Sequence, residues 1–78
     1  MFQIVREELG SEGRVIARRP LLPLYEIFED AMALAEFDAS RCDGAYGYDA
    51  QHDCWWARER GCRYRFVIEE VAPASLAS

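Results

Sequence analysis

The chain contains no lysine, no asparagine and no threonine, so all nine of its basic residues are arginine. We read this gap as a bias toward GC-rich codons rather than as chemistry, although arginine favours stacking and bidentate contacts wherever a surface is used for binding. Cysteine is scarce as well. The three present are an odd number with no CxxC pair, which points to reduced thiols rather than a disulfide framework. There is a single histidine, no Gly-rich phosphate loop and no RNP-type RNA-binding motif. No stretch approaches the roughly 18 apolar residues of a membrane helix, and no signal-like segment opens the chain. Together these absences lead to the expectation of a cytoplasmic protein with free thiols and no membrane association.

What remains is enough for one folded domain. At 78 residues the chain is too short for two cores. Its apolar fraction of 51%, with two Trp, four Tyr and four Phe, exceeds what a disordered chain carries. The net charge of −5 argues against general binding to nucleic acid or anionic membranes, because the long-range field repels phosphates.

Residues 2–8 (FQIVREE) alternate as a short strand, Gly10-Ser11-Glu12-Gly13 supplies a turn, and residues 14–19 read as the return strand. Pro20 and Pro23 interrupt the pattern and mark residues 20–23 as a crossing segment or edge, with residues 24–28 open to either strand or helix. From about Glu29 to Arg41 an alanine-rich run with acidic residues at its start predicts a helix. Its core stripe would be Phe28, Ala31, Met32, Leu34, Ala35 and Ala39. Residues 42–52 (CDGAYGYDAQH) read as the longest loop, and residues 53–57 and 62–71 as a second hairpin turning at Glu59-Arg60-Gly61.

That second hairpin carries the main functional clue. Trp55 and Trp56 are adjacent, so strand parity sends them to opposite faces of the sheet. In the last strand Tyr64, Phe66 and Ile68 form the core face, while Arg63 and Arg65 lie on the other. A two-residue loop sets Trp55 opposite Phe66 and Trp56 opposite Arg65. A three-residue loop sets Trp56 opposite Tyr64 and Trp55 opposite Arg65. In either register one indole joins the core and the other stands among arginines, in reach of a cation–π contact.

Other constellations are weaker. Cys42, His52, Cys54 and Cys62 lack the spacing of a structural zinc site, and no metal or cofactor is expected. His52 with Cys54, or Asp49 with Asp53, makes a poor nucleophile–base pair in a chain this small, which is not expected to be an enzyme. Tyr46 and Tyr48 are expected to fold their loop back on the core.

The runs EDAMALAEFDASR and GYDAQHDCWWARERGCRYRFVIEE resemble small bacterial proteins of unknown function built as a β-hairpin, a helix and a second hairpin. The resemblance covers residues 1–71 and implies that fold without any activity, so no functional residue carries over. The expected fold is therefore α+β: a single ββαββ domain over residues 1–71, with one helix packed on one face of a four-stranded antiparallel sheet, and a flexible tail over residues 72–78. Its expected core combines Phe2, Ile4, Val15, Phe28, Ala31, Leu34, Ala35, one Trp, Tyr64, Phe66 and Ile68. The expected function is a non-enzymatic protein-interaction module, self-association included. It would use the uncovered sheet face through Trp55 or Trp56 with Arg58, Arg63 and Arg65. The alternatives are nucleic-acid contact by the same arginines and one Trp, or an acidic inhibitor or adaptor of a basic partner, suggested by Glu26, Glu29, Asp30 and Glu36.

Overall fold

The computed structural model describes residues 1–72, and among them five strands form one antiparallel sheet crossed by a single α-helix. In chain order the elements are β1 (Phe2–Leu9), β2 (Val15–Tyr25), α1 (Phe28–Ser40), β3 (Tyr46–Asp49), β4 (Cys54–Glu59) and β5 (Cys62–Glu70). Spatially the strands run β2-β1-β5-β4-β3. The class is α+β, as expected, but the four-stranded ββαββ sheet is overturned: the chain adds β3 within the presumed loop and reads ββαβββ. Residues 73–78, most of the expected tail, lie outside the described residues.

Two features account for the difference. The first is Gly47 in the middle of β3, which masks the strand pattern of Tyr46–Asp49. It pairs directly with Trp56, and that indole covers the space a side chain would fill. The second is β2, which continues through both prolines to reach 11 residues. As the outermost strand, β2 has only one neighbour to satisfy, so missing N–H donors can be tolerated and also blunt the edge against further pairing.

The helix lies on one face through Ala31, Ala35 and Ala39, all at 0% exposure, whose small side chains let its backbone approach the sheet closely. Beneath them lie Ile4, Ala57 and Phe66, with Phe2, Leu21, Tyr25, Trp55, Tyr64 and Ile68 partly buried around them. Phe2 meets Phe28 edge-on with ring centroids 5.6 Å apart. Two expected core residues are outside it. Leu34 is 38% exposed because the alanine seam is narrower than the predicted stripe, and Val15 is 36% exposed because it begins the edge strand beyond the helix.

Candidate functional site

The β4–β5 turn is formed by Arg60 and Gly61, at φ 52° and 80°. Both values lie in the left-handed region that a type I′ two-residue hairpin requires. The turn sets Glu59 opposite Cys62, Arg58 opposite Arg63, Trp56 opposite Arg65 and Trp55 opposite Phe66. The two-residue register is thus the one adopted. Trp55 packs into the helix-side core, its ring 5.4 Å from that of Tyr48, and plays no part in the uncovered face.

Trp56 is the outward tryptophan and is held from two sides. A Cβ on Gly47 would stand 2.9 Å from the indole, so the ring rests on bare backbone. The Arg58 guanidinium lies 5.8 Å from the ring centroid, within cation–π range. Leu9 and Arg63 join Trp56 and Arg58 around a shallow cleft of about 180 Å³ at this end of the sheet. Arg63 also donates to the Gly10 carbonyl at 2.9 Å, which ties the β4–β5 hairpin to the β1–β2 turn.

Arg65 has a different role. Its Nε and Nη2 donate to one oxygen of Glu7 at 3.1 and 3.0 Å, while Arg18 Nε donates to the other at 3.0 Å. Arg18 also pairs with Glu69. Glu7 is buried, with its residue only 8% exposed. Val5 and Cys54 share this face and are equally buried, although no helix covers them. The aliphatic stems of the clamped arginines are the natural cover for such positions. The middle of the uncovered face is therefore occupied by its own ion pairs, and of the sequence-predicted site residues Trp56, Arg58 and Arg63 stand outside that network.

Charge is distributed unevenly along the strands. Arg14, Arg58, Arg60 and Arg63 lie at the end where the β1–β2 and β4–β5 turns fall, interspersed with Glu12, Asp43 and Glu59, whereas Glu26, Glu29, Asp30 and Glu70 lie at the opposite end, where there is no arginine.

The thiols and the histidine do not converge. Cys54 is fully buried on the uncovered face, and burial pushes its thiol up from 9.0 to about 11, against the opposing pull of Arg65. Cys42, after the helix, is also pushed up, first by burial and then by Glu59. His52 is exposed and pairs with Asp49 at 2.7 Å. Asp49 accepts from the Gln51 and His52 backbone N–H groups as an Asx turn, and the His52 hydrogen bond lowers its carboxyl. Asp53 accepts from the Tyr48 hydroxyl, which raises the Tyr48 phenol. Among the described residues no three metal-ligating side chains gather, and no helix is long and apolar enough to cross a membrane.

Two functional contributors were missed by sequence reasoning, Gly47 as the seat of Trp56 and Glu7 as the hub of the ion pairs. The parity of β1 puts Glu7 on the face of Arg65, and that was the available signal. Comparison with protein-family models, curated proteins and solved structures returns no match, so the site is read from its own chemistry.

Proposed function

We propose that this chain is a non-enzymatic protein-interaction module whose Arg58–Arg63 pair, beside Trp56, takes a short acidic segment of a partner protein. The observation that carries the reading is the cross-strand pair Arg58 and Arg63 beside Trp56, two like charges directly opposite each other with no carboxylate partner among the described residues. Such a pair is locally unfavourable and becomes favourable when an anion sits between its members. Trp56 adds a flat apolar anchor of the type that dominates small interfaces. A short acidic segment fits better than nucleic acid, because a long polyanion following the sheet would meet the carboxylate end of a chain carrying net −5. The raised thiols of Cys42 and Cys54 support a non-catalytic role, since the thiolate is the nucleophile. Three free cysteines favour a reducing cytoplasmic setting.

The test uses the Trp55→Phe variant, in which Trp56 is the only tryptophan, titrated with a random glutamate–tyrosine copolymer while its fluorescence is followed. Saturable change is expected, abolished by Arg58→Ala with Arg63→Ala and weakened by Gly47→Ala, which pushes the indole off its seat. Tighter binding of a single-stranded RNA oligonucleotide than of the copolymer would replace this reading with nucleic-acid contact. A dimer seen by light scattering and dissolved by Trp56→Ala would replace it with self-association.

A further inference from the structure

Arg6 on β1 and Arg19 on β2 are a second pair of like charges directly opposite each other, on the face that α1 partly covers. The helix brings Arg41, at its C-terminal cap, to the same place. The three line a cleft of about 480 Å³ floored by Leu21 and Phe66, with Asp38 and Glu59 in its walls. Among the described residues none of the three guanidiniums has a carboxylate within 4.0 Å. The contrast with the opposite face of the sheet is direct: there Arg18 and Arg65 both pair with Glu7, and Arg18 also with Glu69.

Aromatic rings hold two of these guanidiniums without using their N–H groups. Arg6 lies 5.2 Å from the Tyr64 ring centroid and Arg41 lies 5.6 Å from that of Phe37. A guanidinium that rests against a ring and donates to no other group keeps its N–H donors for a planar oxyanion. Asp38 and Glu59 provide acceptors for hydroxyl or amino groups and repel surplus negative charge, which favours a single anionic head over a polyanion. Burial raises the Asp38 carboxyl while Arg41 and Arg6 pull it down, so the field of both arginines reaches the cleft wall.

We infer that this cleft binds a small organic anion, a phosphate or carboxylate head on an apolar body, with Arg6, Arg19 and Arg41 around the head and Leu21 and Phe66 under the body. The site lies on the other face from Trp56 and does not depend on the protein-binding reading.

The experiment follows the arginine Nε–Hε resonances by NMR during titration with inorganic phosphate, phenyl phosphate and benzoate. Saturable shifts at Arg6, Arg19 and Arg41 are expected, with a phenyl-bearing probe binding more tightly than inorganic phosphate. Whichever of phenyl phosphate and benzoate binds more tightly identifies the head group. Arg19→Gln should weaken binding about tenfold, whereas Arg14→Gln, which removes the same charge outside the cleft, should leave it within about twofold. Arg19→Gln should also raise the melting temperature of the ligand-free protein, because it relieves the opposed charges; this shows that the variant is folded. No saturable shift at millimolar probe, or equal weakening by Arg14→Gln and Arg19→Gln, overturns the inference.

Discussion

Glu7 is the residue whose loss should matter most outside the helix-side core. Its carboxylate accepts three N–H groups, from Arg18 at 3.0 Å and from Arg65 at 3.1 and 3.0 Å. The Glu7 side chain is 11% exposed, against 22% for Arg65 and 47% for Arg18. Glu7→Ala lets Arg18 turn to Glu69 and solvent, but it strands the largely buried Arg65 side chain, whose charge already acts on the buried Cys54. Breaking a buried pair by removing one partner costs about 3–5 kcal/mol. Discounted for the water that still reaches both arginines, the cost here is about 2–3 kcal/mol. For a domain this small that means a fall in melting temperature of about 10–20 °C. Urea unfolding followed by circular dichroism measures it. Arg65→Met supplies the second arm, since it removes the charge that would be stranded and keeps an apolar stem over Val5. The double variant should then be more stable than the two single losses predict, with a coupling of about 1–2 kcal/mol. A cost for Glu7→Ala below about 0.5 kcal/mol, the range of ordinary surface changes, would refute the view that ion pairs seal this face.

Arg60→Asn should stabilise the protein by about 0.5–1 kcal/mol, because asparagine adopts the left-handed backbone at φ 52° with less strain than arginine. The Asp43 contact it gives up is long and exposed, at 4.0 Å, and a fall in melting temperature would count against the type I′ turn. Cys54 should stay unmodified by thiol reagents at pH 8 until the chain unfolds. Because its folded pKa is raised, the unfolded chain releases the proton first. The contribution is complete below pH 9.0 and lost as pH climbs toward about 11, costing roughly 2–3 kcal/mol. Comparing wild type with Cys54→Ala across that window isolates the effect, and identical slopes would show that the thiol is solvated in the folded state.

How far the fold can be read from the sequence varies with how local its causes are. Strand parity divides Trp55 from Trp56 and Tyr64 from Arg65 without any knowledge of partners, and the helix follows from its alanines. The hairpin register stays a choice of two, because arginine at position 60 hides a turn that asparagine would have announced. The extent of β2 is invisible for a different reason: Pro20 and Pro23 fit a strand only at an edge, and which strand lies at the edge is decided by the rest of the sheet. β3 depends on its cross-strand partner nine residues later in the chain, since Gly47 is acceptable there only under the Trp56 ring. Burial of Val5 and Cys54 also escaped notice, because parity alone assigns them to a solvated face and says nothing about arginine stems closing over it.

The arginines themselves separate structure from recognition. Where a carboxylate faces them across the strands, as Glu7 faces Arg18 and Arg65, their charge is spent internally and the residues beneath them are dry. Where arginine faces arginine, at Arg6 with Arg19 and at Arg58 with Arg63, the sheet carries a local electrostatic cost that no carboxylate within 4.0 Å offsets among the described residues. A thinly stable domain tolerates such conflicts most readily where a ligand relieves them. The two classes must then respond to neutralisation with opposite signs. Replacing Arg65 should weaken the fold, whereas replacing Arg19 should strengthen it and weaken binding.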